Sequence, residues 1–120
     1  MEDEERLKIY NNCYDIFSFR YNASRLDESK LSHFKMYKIT YMEDLYNNKK
    51  IFENCKYKYY YIICGEDFPI VKCQISNFFQ SKEFINEIHY TNTECSILLS
   101  ENFKQIIYIY HGTDVMIGEI

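Results

Sequence analysis

The stretch CKYKYYYIICGEDFPIVKCQI, residues 55 to 75, commits part of this chain to an antiparallel sheet. Two runs rich in Tyr, Ile and Val are separated only by Gly65, Glu66 and Asp67, a spacing too short for anything but a hairpin. Pro69 cannot donate a ladder hydrogen bond, so its strand belongs at an edge or turns that side away from its partner. A chain of 120 residues forms one domain and buries about two thirds of the surface that its unfolded form exposes. Hydrophobic residues are 47% of it, with thirteen Tyr and nine Phe, so a core is available and disorder is excluded.

The flanking segments alternate between helical and strand grammar. In EERLKIYNNCYDIFSFRY, residues Leu7, Tyr10, Tyr14, Phe17 and Tyr21 recur at three and four and predict an amphipathic helix. Its acidic start, Glu2 to Glu5, complements the helix dipole. Leu31 and Phe34 predict a short helix, and YKITY a strand with Tyr37, Ile39 and Tyr41 on one side. Met42 to Tyr46 reads as a helical turn and NNKK as a loop. Ser76 fits an N-cap for NFFQSKEFINEI, which Ser81 divides into two short helices, and ECSILL reads as a buried strand.

The segment SENFKQIIYIYHGTD, residues 100 to 114, admits two readings. Ser100 is a good N-cap, Phe103, Ile106, Ile107 and Tyr110 fall at i, i+3, i+4 and i+7, and Gly112 stands where a helix stops. These agree on a helix over 101–110. The alternative splits the segment into Phe103, Gln105, Ile107, Ile109 and Lys104, Ile106, Tyr108, Tyr110, two largely apolar faces, as in a central strand. A short strand, VMI, follows.

Composition narrows the function classes. The formal net charge of −4 opposes a general nucleic-acid binder. Lys49, Lys50, Lys56 and Lys58, interleaved with Tyr57 and Tyr59, form the one basic cluster and read as a solvated face. MEDEER is no secretory signal, and no apolar run approaches the roughly 18 residues that span a bilayer. An intracellular, cytoplasmic chain with no membrane partner is the expectation. Five cysteines at irregular spacing, with no C-x-x-C, suggest buried thiols rather than a disulfide framework or zinc site. Sparse Ala, Pro and Gly beside abundant Ile, Lys, Asn and Tyr match A/T-rich codons, as in a large DNA virus or an AT-rich microbe.

Catalytic residue types are scattered. His111 and Asp114 could pair as base and orienter, yet no Ser or Cys is tied to them by a motif, and a His at a helix end is the plainer reading. His89 with Glu87, Glu94 and Cys95 offers metal-ligand types at no standard spacing. Phe68, Phe78, Phe79 and Phe84 read mainly as core, with one or two as partner anchors. No catalytic, cofactor-binding or metal residue is assigned, and no cofactor is expected.

The order hairpin, short helices, strand, helix over about residues 57 to 120 resembles the BTB/POZ domain. GEDFPIVKCQI is similar to the family's second hairpin strand, with Val71 where a His is common. SKEF at Ser81 to Phe84 is similar to its Ser-x-x-Phe, and ILLSENFKQIIYIYHGTDV to its strand, loop and helix ending in Tyr-x-Tyr-x-Gly. The chain stops where that family adds further helices. The resemblance implies an α+β fold, with residues 1–54 a helical region and 55–120 the BTB/POZ-like part of one compact domain. It also implies a non-enzymatic interaction module: a homodimer, or an adaptor for a cullin-type ubiquitin ligase. The outward face of the 101–111 helix, Glu101, Lys104, Gln105 and Tyr108, is then the partner interface. IIYIYHGTDVMIGEI also looks like the strand and Arg-Gly-Thr-Asp turn of class 3 lipase-like α/β-hydrolases, which makes a hydrolase fragment or inactive relative the alternative. His111 stands in place of the Arg, and the chain has no G-x-S-x-G nucleophile elbow.

Overall fold

A computed structural model of the chain describes every residue except 1, 21–22, 65–68, 92–94 and 111–112. Helix α1 (Asp3–Tyr14) leads into a two-stranded hairpin, β1 (Phe17–Arg20) and β2 (Ala23–Leu26). Strand β3 (Ser32–Lys38), a 3-10 turn (Met42–Leu45) and α2 (Lys49–Phe52) follow. Then come β4 (Tyr59–Ile63), β5 (Val71–Gln74), α3 (Ile75–Gln80), α4 (Lys82–Thr91), β6 (Cys95–Ser100), β7 (Gln105–Tyr110) and β8 (Asp114–Glu119). Strands β3 to β8 form one six-stranded sheet in the order β3-β8-β7-β6-β4-β5, antiparallel at every pairing. The fold is α+β.

Alternation along the strands sends neighbouring side chains to opposite sides of the sheet. On one side Tyr60, Ile62, Leu98, Ile107, Ile109, Val115 and Ile117 pack with Leu45, Ile51, Phe78, Phe79 and Ile85 from the helical segments. On the other, Tyr61, Ile63, Leu99, Ile106, Tyr108 and Met116 pack with Ile9, Cys13, Ile16 and Leu26 from α1 and the small hairpin. Each fully buried Ile or Leu contributes about 1.5–3 kcal/mol of transfer free energy. A sheet apolar on both faces therefore needs a layer on each.

The helix expected over 101–110 is instead a turn followed by β7. The apparent helical stripe is divided by the sheet, since Ile106 belongs to one core and Ile107 to the other. Ser100 caps no helix: its Oγ accepts from the N–H groups of Lys104 (3.0 Å) and Gln105 (2.9 Å), and its hydroxyl donates to Asn102 Oδ1 (2.8 Å). The Phe103 N–H donates to the Ser100 carbonyl (2.9 Å), closing a tight β6–β7 turn. Phe103 takes a left-handed φ of 58°, a strained setting for a bulky residue, and its ring stacks on Tyr61 at 6.3 Å.

Other expectations shift for the same reason. Residues 1–54 are not a helical region, because they supply β1, β2 and β3, and β3 joins the main sheet beside β8. Helix α1 ends at Tyr14, and its buried face is Ile9 and Cys13 rather than the Leu7 stripe; Leu7 is exposed. Leu31 and Phe34 belong to the approach to β3 and to β3 itself, not to a helix, and that strand ends before Thr40. Lys49 and Lys50 open α2 instead of extending a loop. Gln74, not Ser76, holds the N-cap position of α3. The hairpin β4–β5, the split at Ser81, the turn at 42–45 and the strands at ECSILL and VMI stand as read from the sequence. The Gly65 turn and Gly112 lie outside the described residues.

One buried polar group ties the sheet to its flank. Gln105, at the start of β7, donates from Nε2 to the Asn54 carbonyl (2.7 Å). Its Oε1 accepts from the Lys56 N–H (3.1 Å) and from the Tyr60 hydroxyl. Removing the amide strands three partners, each costing about 1–3 kcal/mol when desolvated and unpaired. Gln105→Ala is therefore expected to lower unfolding free energy in urea by about 3 kcal/mol or more. A loss below about 0.5 kcal/mol would show that water replaces the side chain at no cost.

Candidate functional site

The segment from Thr40 to Asn54 is shaped by short polar side chains that bond their own backbone. Asp44 Oδ2 accepts from the N–H groups of Thr40 and Tyr41, both at 2.9 Å, and folds the 3-10 turn back on itself. Asn47 sits at φ 54°, a left-handed setting that Asn tolerates, and its N–H donates to the Phe79 carbonyl (2.8 Å). Asn48 caps α2, accepting from the Ile51 N–H at 3.0 Å. Leu45 and Ile51 point into the core. With those two inward, Phe52 is left at the surface, 36% exposed, its ring edge-on to Phe79 at 5.5 Å and 61°.

Between α2 and α3 these rings line a half-open groove of about 470 Å3, within the size range of binding sites. Its surface is mostly apolar, with the amides of Asn47, Asn48 and Gln80, the Ser76 hydroxyl, and the charges of Lys49 and Glu53 around it. Phe79 is held in place by an edge-to-face contact with Phe78 (5.2 Å), itself packed edge-to-face on Phe84 (5.9 Å). The lining offers apolar contact and amide hydrogen bonds, which suit holding a ligand.

A second, smaller cavity of about 130 Å3, lined mainly by polar and charged residues, opens where β3 bulges between Ser32 and Lys35. His33, at φ 53°, and Lys56 both pair with Glu119. Lys35 donates to Asn54 Oδ1 (3.0 Å). The Lys56 hydrogen bond, reinforced by the nearby positive charges, holds the Glu119 carboxyl below its ordinary value of 4.5.

The four residues expected at an interface do not share a surface. Glu101 and Lys104 are exposed on the β6–β7 turn, where Glu101 pairs with Lys72 at 2.7 Å. Gln105 and Tyr108 are buried, at 2% and 1% exposure. Asp114 pairs with Lys38 (3.1 Å), while His111, its expected partner, lies outside the described residues. So do Phe68, Glu94 and the side chains of His89 and Cys95. Phe78 and Phe79 are core, as expected. Among the described residues no cluster of His, Cys, Asp and Glu is placed to hold a metal ion, and no helix is long and apolar enough to cross a membrane. Of the basic cluster, Lys56 is drawn to Glu119, and Lys58 lies over the Tyr59 ring at 5.5 Å. Asn47, Asn48 and Phe52 were not singled out by the sequence, although an Asn directly before KKIF is a legible N-cap.

No family model, no curated protein and no solved structure matches the chain.

Two tests follow from these side chains. Burial pushes the Cys13 and Cys55 thiols up to about 12 and that of Cys73 up to about 11, and the thiolate is the reactive form. At pH 8 the native protein should react with a maleimide at these three at least about 100-fold more slowly than in denaturant; peptide mass spectrometry locates the adducts. Immediate labelling of any one would show its pocket to be open. The depressed Glu119 carboxyl contributes stability that is present above its unfolded value and lost as pH falls through the folded one. Thermal melts of Glu119→Gln should therefore lie below wild type at pH 7 and converge with it as pH falls through the carboxyl's lowered folded value. A gap that persists at low pH would mean that the carboxylate's charge is not its source.

Proposed function

We propose that the chain is a non-enzymatic protein–protein interaction module that receives an apolar or aromatic side chain of its partner in the groove between α2 and α3. The observation that carries this reading is the exposure of Phe52 above Phe79, within a segment that also leaves Tyr41 and Tyr46 in solvent. Three of the seven large hydrophobic residues exposed among those described fall between residues 41 and 52. Of these three Phe52 lines the groove, with Phe79 beside it, and aromatic anchors seated in a pocket are enriched among interface hot spots. Covering one exposed Phe is worth about 1.5–3 kcal/mol, and the surrounding amides supply hydrogen bonds to a partner backbone.

The BTB/POZ form of this reading put the contact on a helix over 101–111. With 105–110 a buried strand, the contact moves to the 41–53 segment, and a second copy or another protein remains the class of partner. The alternative, a fragment or inactive relative of a class 3 lipase-like hydrolase, keeps one point in its favour, since that likeness called for a strand at 105–110. Its test is simple: labelling of a serine by a fluorophosphonate probe would support it, and none is expected.

The interaction reading is tested by panning a random peptide library displayed on phage against the wild-type protein, with Phe52→Asp as the counter-target. Phe52 is 36% exposed and touches Phe79, so the variant should melt somewhat lower than wild type while keeping its fold, which circular dichroism checks before panning. Enriched peptides should carry an aromatic or Leu anchor and lose affinity for Phe52→Asp by about tenfold or more. Lys104→Glu should leave their binding unchanged. No enrichment, or peptides that bind both proteins equally, would overturn the groove as the binding site.

A further inference from the structure

The main sheet has two open edges among the described residues, and they are unlike. Strand β5 is four residues long, preceded by Pro69 and followed at once by α3. Strand β3 is seven residues long and pairs only with β8 among the described strands, and past its bulge its regular edge runs from Lys35 to Lys38, about 13 Å. The Ile39 N–H donates to the Thr113 carbonyl (2.8 Å). Residues alternate between facing the partner strand and facing away, so Met36 and Lys38 turn their backbone groups outward. The Met36 side chain is 47% exposed at the middle of this edge.

The edge is basic in an acidic chain, a character it shares with residues 49–58, which hold four Lys and one Glu. Residues 30 to 40, KLSHFKMYKIT, hold three Lys and one His and no acid, a formal +3 with His neutral. The whole chain is −4, so the remaining residues sum to −4 − 3 = −7. Lys30, in the 3-10 turn that precedes β3, donates to the Asp15 carbonyl (2.6 Å) and Lys35 to the Asn54 amide oxygen, and among the described residues neither has a carboxylate partner. Lys38 and His33 are paired with Asp114 and Glu119.

Lysines and a bulge on an edge strand oppose uncontrolled pairing. They do so selectively. An antiparallel pairing of β3 with its own copy sets outward residues opposite outward residues and joins two edges that each carry a formal +3, and like charges brought together across an interface are unfavourable. The same lysines attract a strand carrying carboxylates, so repulsion from one partner and attraction to another make the edge specific. We propose that the outer edge of β3 binds an extended acidic segment of a partner protein by strand addition. Main-chain hydrogen bonds at Met36 and Lys38 hold the segment, Met36 packs on an apolar residue of it, and Lys30 and Lys35 attract its carboxylates.

The probe is a pool of synthetic heptapeptides alternating Glu or Asp with Val, Thr, Ile or Tyr, compared with the same pool carrying Lys in place of the acids. The acidic pool should bind, weaken with added salt, and slow hydrogen exchange at the Met36 and Lys38 amides. Met36→Pro removes one outward N–H, which an edge position tolerates, and should weaken the tightest peptide by about tenfold or more by fluorescence anisotropy. Lys30→Glu combined with Lys35→Glu should do the same without touching the backbone. Phe52→Asp should change nothing, which separates this site from the α2–α3 groove. The proposal is overturned if no acidic peptide binds with a Kd below about 1 mM, if Met36→Pro leaves binding unchanged, or if the Lys pool binds as well. It is overturned too if sedimentation finds a dimer of the wild-type chain that Met36→Pro dissociates.

Discussion

Strand β7 has no side that faces water: Gln105 to Ile109 are all buried, with β6 and β8 bonded to its two edges and a helical layer or α1 above and below. A strand in that position must be apolar on both faces, and QIIYIY is. Everything else in the architecture serves this requirement. The segments 42–52 and 75–91 cover one face, and α1 with the β1–β2 hairpin covers the other. The buried Gln105 amide then joins the end of the strand to the 54–56 loop, so the helical cover is held by hydrogen bonds as well as by packing.

That cover is incomplete in one place, and the incompleteness has a local cause. Asp44, Asn47 and Asn48 spend their side chains and backbone on tight turns, which fixes the direction in which α2 emerges. With Leu45 and Ile51 inward, the four-residue helix has no second inward position for Phe52. The ring stays at the surface against Phe79. The groove is thus a consequence of turn chemistry, and its rigidity comes from the Phe79–Phe78–Phe84 chain of edge-to-face contacts behind it. The two edges of the sheet are finished by different means: β5 by its shortness, a proline and an immediate helix, β3 by charge and a bulge. Charge leaves an edge open to a partner of opposite sign, whereas shortness closes it to all.

Local chemistry made much of the fold legible. Tyr, Ile and Val runs close together in the sequence specify the β4–β5 hairpin, although the strands are shorter than the runs and end at Ile63 and begin at Val71. Ser81 between two apolar patches specifies the break between α3 and α4, and its Oγ accepts from the Phe84 N–H at 3.2 Å. Neither feature depends on distant residues, and the α+β class follows from them. Of the site, the phenylalanines of α3 were visible as core, and Glu101 and Lys104 as surface.

What the sequence could not decide is what depends on neighbours far along the chain. A segment such as FKQIIYIY fits a two-faced strand, yet its cap, spacing and glycine favour a helix, and the choice falls to β6 and β8, which offer hydrogen-bonding edges on both sides. The same holds for Leu31 to Lys38, whose pairing with β8 overrides a helical spacing, and for α1, whose buried face is selected by the sheet beneath it rather than by its own pattern. By itself the sequence determined the class, the 42–45 turn and the β4–β5 hairpin. Only the tertiary structure decided which apolar runs became strands and which aromatic ring was left exposed, because those outcomes turn on long-range pairing and on the room left inside once both faces of the sheet are filled.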